Sequence, residues 1–336
     1  LPAVNEERSR SSGTAGPNDV DAPPVPARST FVKRVNPAAG ALLAIGAGIG
    51  WGMLAPAAKL LFLAQGGRLF DAFSLSVARG FWAVPPFVVL ALMTRPRDRH
   101  IERGDAWLFL AAALLVGFGL NFLYQLATQH TSAAHAVLLQ GLAPLAVAAF
   151  EAVVLRKPLD TLRRVALAVG IAGVACIAVG KASGGTSLFG DAVMFGWLAV
   201  FATYSYVMRR LTSRYPTAFV TAVVWGGGFA LVVLAGAPLV PLAVAHSLAT
   251  PDVAIKVLVA LVVISALLAP AAHAAAVKQA NVTIATAGSQ YAAIATGTTL
   301  SILVVHESLG PASIAGGALL IVALALTLVP ARRTSG

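Results

Sequence analysis

Few side chains in this 336-residue chain can do chemistry, and the informative ones fall inside apolar runs. His135 and His273 can change charge between pH 5 and 8, so either could carry a proton; equally, each could be an interhelical hydrogen-bond partner. Glu151 is either a proton or cation site at a cavity edge or the partner of Arg156 or Arg163. Lys59 and Arg79 lie near the ends of their runs, where they either snorkel to the headgroups or capture a substrate carboxylate. Among uncharged groups, Asn121 and Tyr124 are three apart and share a helical face, with Gln125 beside them. Gln140 follows His135 by five residues, and Trp82 follows Arg79 by three. Trp197, Phe201 and Tyr204 recur at i, i+4 and i+7, a face that either packs helices or stacks on an aromatic or cationic solute. Gln290 and Tyr291, with Trp225, complete the set. These residues would line a solute cavity. They do not suggest catalysis, a cofactor or a metal: there is one Cys, and Gly184-Gly185 lacks the strand–turn–helix context of a phosphate loop.

The elements that must position them follow from composition. Apolar residues make up 58% and charged residues 11%, with a mean hydropathy of +0.83. Ordinary globular domains carry roughly 25% charge, so a soluble enzyme, a disordered chain and a disulfide scaffold are all excluded. Residues 1–37 are the exception. Rich in Pro, Ser, Gly and charge, they read as a disordered tail without the apolar core of a signal peptide. From Ala38, apolar runs of the length needed to cross a bilayer alternate with short polar breaks, at 38–62, 72–93, 106–126, 131–154, 163–180, 188–208, 216–235, 253–275, 280–303 and 311–329. The expectation is an all-α integral membrane protein with ten transmembrane helices. Pro56, Pro85, Pro86, Pro144 and Pro270 fall inside runs and should kink them.

Charge sets the orientation. With the N-terminus placed in the cytoplasm, 19 of the 24 Lys and Arg lie on the cytoplasmic face and only Arg68, Lys181 and Lys256 on the other, which fits the positive-inside rule with both termini inside. The net charge of +11 therefore orients helices and does not indicate nucleic acid. The chain also appears twice in outline. Trp51 and Lys59 are spaced like Phe201 and Arg209; Tyr124 and Ala127 like His273 and Ala276; Lys157, Ala166 and Gly173 like Glu307, Gly316 and Ala323. Five spans per copy is an odd number, so the copies have opposite topology, an architecture of secondary transporters with solute at the repeat interface. The organisation expected is a tail (1–37), a first five-helix repeat (38–182), a second (183–330) and a short cytoplasmic end (331–336).

Over about residues 38–330 the chain resembles the EamA-type family of the drug/metabolite transporter superfamily. The matching elements are Trp51-Gly52 and Lys59, Ala78-Arg79-Gly80-Phe81, Leu142-Ala143-Pro144, and Gly190-Asp191 running into Trp197 to Tyr204. It departs at Arg156-Lys157, where the family usually has Gly-Glu, and at Ile294, where the second copy would carry Pro. The resemblance implies a bacterial inner (plasma) membrane carrier that moves small organic solutes (amino acids, related metabolites or organic cations), in the direction of export. The partners expected are the solute, protons and the lipid bilayer, with no nucleic acid. Without an ATP-binding motif, the energy must come from a gradient, and alternating access is the mechanism expected. A facilitative uniporter or channel is the alternative, and a membrane-embedded lipid-modifying enzyme a more distant one.

Overall fold

The computed structural model describes residues 36–95, 99–154, 156, 159–179, 188–248, 251–279 and 282–328. The tail to residue 35, Lys157, Lys181, Gly184-Gly185 and residues 331–336 lie outside them. Val35–Gly336 forms one compact unit. Among the described residues every regular element is a helix, as the continuous apolar runs require: a backbone in hydrocarbon must satisfy its own polar groups.

The helices are α1 (Pro37–Leu63), α2 (Ala72–Leu92), α3 (Ala106–Leu114), a π-helical stretch (Leu115–Phe122), α4 (Leu123–His130), α5 (Ala133–Gln140), α6 (Ala143–Val153), α7 (Thr161–Val179), α8 (Leu188–Thr212), α9 (Thr217–Ala235), α10 (Val240–Leu248), α11 (Val253–Gln279), α12 (Val282–Leu303) and α13 (Pro311–Leu328). Each apolar run read from the sequence is helical over most of its length. Among the described residues, six helical stretches are long and apolar enough to cross a membrane, and a seventh if α5 and α6 count as one bent span. The α5–α6 break is 46° and falls just before Pro144, whose ring and missing N–H oppose a continuous helix there. Pro56, by contrast, sits within the unbroken helix α1. Helix α10 was not foreseen. It begins in a Pro-containing stretch and is too short to span.

Local chemistry sets several helix ends. Asp71 and Ser74 form a reciprocal capping box at the start of α2. Asn36 caps α1, with Pro37 in its first turn. Ser132 caps α5 through the His135 N–H. In the interior α1 packs against α11 and α12, α2 against α9, α7 against α13, and α8 against α4, α5 and α6. The crossing of α9 with the π-helical stretch depends on two glycines. A Cβ on Gly117 would lie 2.3 Å from the Gly228 carbonyl oxygen, and one on Gly228 would lie 2.7 Å from that of Ala113. Small residues of this kind let membrane helices approach when no hydrophobic effect drives them together.

Candidate functional site

The π-helical stretch includes Asn121 and ends two residues before Tyr124, a distortion that often marks functional positions. Asn121 faces α2, where its side-chain carbonyl accepts a hydrogen bond from Arg79 Nη1 at 2.9 Å. Arg79 is only 4% exposed, and Lys59 6%, so neither snorkels. The Arg79 guanidinium lies over the Phe229 ring, 5.6 Å from its centre. It has no acidic partner among the described residues, and its Nε is unpaired there.

From Arg79 a run of rings returns to the same face of α4. Phe229 meets Trp225 at 6.1 Å, Trp225 meets Tyr204 at 6.2 Å, and the Trp225 indole donates to the Tyr204 hydroxyl at 2.8 Å. Tyr204 neighbours Phe201, Phe201 stacks on Trp197, and Trp197 meets Tyr124 edge-on at 5.5 Å. The Tyr124 hydroxyl donates to Gln140 at 2.7 Å, and the Trp197 indole to the Leu120 carbonyl at 3.0 Å. The circuit unites Arg79, Asn121, Tyr124, Gln140, Trp197, Phe201 and Tyr204 from the sequence-derived set. Phe229 was missed, although its position one turn beyond Trp225 was a usable signal. Phe201, Tyr204 and Trp225 remain only partly buried, whereas Tyr124 is fully buried.

Other candidates fall elsewhere. His273 packs on Trp51 with ring centres 5.2 Å apart, and Ser289 lies 3.4 Å from its Nδ1, between α1, α11 and α12. Gln290 is buried, and its side-chain oxygen is unpaired among the described residues. Tyr291 donates to the Ile321 carbonyl and serves α12–α13 packing. Trp82 is half-buried against Phe81. Glu151 accepts from the Tyr206 hydroxyl and lies 4.0 Å from Arg163, away from the aromatic circuit. The larger of the two described cavities, about 550 Å³, is lined by none of these candidates.

A second polar cluster joins the ends of α1, α4, α5 and α8. Lys59 Nζ donates to the Thr131 carbonyl at 2.7 Å and to those of Thr128 and Gln129 at 3.4 Å, closing the C-terminal end of α4. Glu307 accepts from the N–H groups of Ala133 and Ala134 at 2.8 and 2.9 Å, so a carboxylate occupies the positive end of α5. Thr131 donates to Asp191 at 2.9 Å, and His135 Nε2 meets Ser313 at 3.0 Å. Outside the spans, Arg214 binds Asp105 at 2.7 and 2.9 Å, with Tyr215 also donating to it. The Arg214 hydrogen bond holds the Asp105 carboxyl below the usual carboxylate range. Lys59 and His135 stand out in the sequence as ionisable groups in apolar runs, whereas the roles of Asp191 and Ser313 come only from the folding that brings them to Thr131 and His135.

Residues 38–179 match the EamA-like transporter family. Among curated proteins, the chain is 33% identical over 151 residues to the uncharacterized transporter YdeK of Bacillus subtilis (strain 168), covering 42% of this chain. It spans about half the length of that relative (50%). A solved structure, titled only as the crystal structure of a protein, shares the fold with a TM-score of 0.57 at 21% identity, over 89% of this chain and 99% of its own.

Proposed function

We propose that this chain, an EamA-like domain over residues 38–179 followed by a second copy of the same five-helix unit, is a secondary transporter of small organic solutes. It works by alternating access in a bacterial inner membrane, with ten spans and both termini cytoplasmic. Export of amino acids or related metabolites is the direction and class we favour. The family match and a relative named as a transporter support the class of activity over an enzymatic one.

The observation that carries the reading is Arg79. A guanidinium buried in hydrocarbon without an acid costs several kcal/mol unless something anionic or water reaches it. Arg79 lies over the Phe229 ring and its Nε is buried and unpaired among the described residues, which suits a solute carboxylate with an apolar or cationic body lying on Phe201, Tyr204 and Trp225. His135, whose Nδ1 is unpaired among the described residues, is the coupling group we favour.

Side-chain contacts support the duplicated architecture. Tyr124–Gln140 and His273–Ser289 are both hydrogen-bonded pairs 16 residues apart, and the second lies 149 residues after the first. At the α7–α13 crossing Gly170 lies against Ala323, and Gly173 against Leu320. Exchanging positions 150 residues apart turns one of these contacts into the other, as a two-fold axis requires. The helix pairing follows the same rule: α1 with α11 and α12 is matched by α8 with α4 and α5–α6.

The test is counterflow in proteoliposomes with amino acids, polyamines and organic cations, with and without a pH gradient. Saturable exchange accelerated by the gradient supports a coupled carrier. Linear, non-saturating flux, or none with any solute, removes the reading.

A further inference from the structure

The cavity of about 550 Å³ lies on the side of the bundle, between α6, α7 and α8. Its walls are apolar throughout, and the lining positions recur at helical spacing: Ala146, Ala149 and Phe150 on α6, and Phe195, Ala199 and Ala202 on α8. Phe195 is 44% exposed, so the groove opens towards lipid. We propose that it is a binding site for one acyl chain of an anionic phospholipid, whose headgroup sits among the arginines at its rim.

Three observations carry this. The first is length. The groove runs from Leu142 to Val153, eleven residues or about 16 Å along a helix, which matches one leaflet's half of a hydrocarbon core about 30 Å thick. The second is charge. Towards its polar end Arg156, Arg163, Arg164 and Arg209 are exposed, against the acids Glu151 and Asp160. Both acids are already engaged by Arg163. The remaining cations suit a phosphodiester on the Arg-rich face.

The third is an asymmetry between the halves, and it rests on the duplicated reading above. Gly48 and Gly52 correspond to Leu198 and Ala202, 150 residues later, and the latter two line the groove. In the first location the gap is closed: a Cβ on Gly48 would fall 2.2 Å from the Ser289 carbonyl oxygen, and one on Gly52 would fall 2.6 Å from that of Ala293. In the second, the 46° break before α6 swings the helix aside and leaves space. The groove is thus a built departure from the packing of its counterpart.

The experiment does not depend on transport. Full-length protein is purified in detergent with phosphatidylglycerol or phosphatidylcholine of matched chains, and retained lipid is read by native mass spectrometry. The expected result is phosphatidylglycerol retained on the wild type at least five-fold over phosphatidylcholine. Ala199→Phe, which fills the groove, should cut retention at least five-fold, and Arg164→Gln/Arg209→Gln should bring the preference to about one. Equal retention of the two lipids by wild type, or undiminished phosphatidylglycerol on Ala199→Phe, overturns the proposal. Should Ala199→Phe fail to fold, Phe195→Trp provides an independent reading. Brominated phosphatidylglycerol should quench its added fluorescence more than brominated phosphatidylcholine, and equal quenching overturns the proposal. Loss of lipid preference with counterflow intact refutes this site alone. Absence of counterflow with the preference intact refutes only the transporter reading.

Discussion

Glu307 offers the most direct test of the polar cluster. Its carboxylate accepts two N–H groups from the first turn of α5, at 2.8 and 2.9 Å, and is 4% exposed. Hydrogen bonds to a charged group contribute about 1.5–3 kcal/mol each, against about 0.5–1.5 for neutral ones. Glu307→Gln keeps one acceptor, turns an amide donor towards the other N–H and removes the charge from the helix terminus. The loss should be about 2 kcal/mol. Glu307→Ala leaves two buried donors unpaired, at about 1–3 kcal/mol each, so about 4 kcal/mol is expected. Lys59 closes the C-terminal end of α4 at Thr131, two residues before the N–H group of Ala133 that Glu307 binds, so the two should not act independently. In a double-mutant cycle of Lys59→Met and Glu307→Gln the coupling should be about 1–2 kcal/mol. Thermal and denaturant unfolding in one detergent, followed by circular dichroism, reads all four corners. An Ala variant within about 0.5 kcal/mol of wild type, or strict additivity in the cycle, would show that the carboxylate is not what holds the start of α5.

Further outcomes follow from the same geometry. Arg79→Lys should retain part of the counterflow of carboxylate-bearing solutes and Arg79→Met should abolish it, at least ten-fold in apparent affinity, while both fold; equal transport by Arg79→Met would remove the anion role. Gly228→Val should destabilise by about 1–3 kcal/mol through overpacking, because its Cβ would meet the backbone of Ala113 and Gly117 at 2.7 and 2.9 Å; melting temperature in detergent checks it. The Asp105 carboxyl has its pKa depressed by Arg214, so its contribution is present above the unfolded carboxylate value of about 3.9 and is lost as pH falls through the lower folded value. The stability gap between wild type and Asp105→Asn should therefore be constant above about pH 5 and close below it, and a gap independent of pH down to 3 would contradict the pairing.

How much was legible depended on whether the signal was local. Apolar runs are local, so the helices coincide with them closely, and Pro144 announced the break that separates α5 from α6. Lys59 shows where this ends. Its position near the end of a run suggested snorkelling, but the carbonyls it meets lie about 70 positions away. Helix-end carbonyls need a partner wherever the chain brings one, and spacing within α1 cannot name it. Arg79 is similar: Asn121 is 42 residues distant, and the Phe229 ring comes from another helix. The aromatic spacing on α8 was legible because it is internal to one helix. Its closure through Trp225 and Phe229 was not, because that depends on the α2–α9 packing.

The two halves, taken as copies, also differ where it matters for a cycle. The cluster that ties α1, α4, α5 and α8 uses Lys59, Asp191 and Glu307; the positions 150 residues away are Arg209, Ala41 and Lys157. The cation is kept, one acid becomes Ala and the other becomes Lys, so the same closure cannot form at the other end. What stands there instead is Glu151, held by Tyr206 and Arg163, at the rim of the groove between α6, α7 and α8. On the duplicated reading proposed above, the pairings of α1 with α11 and α12 and of α8 with α4, α5 and α6 correspond, while the polar residues at the two ends differ. If the chain is the carrier proposed above, the Lys59 and Glu307 contacts with backbone would close one end and the Glu151 contacts would be the corresponding closure at the other. Weakening Glu307 should therefore shift the resting conformation towards opening at the Lys59 end, and weakening Glu151 should shift it the opposite way. Accessibility of single cysteines placed at each end to a membrane-impermeant thiol reagent measures both. Parallel shifts in the two variants would show that the ends are not separately sealed.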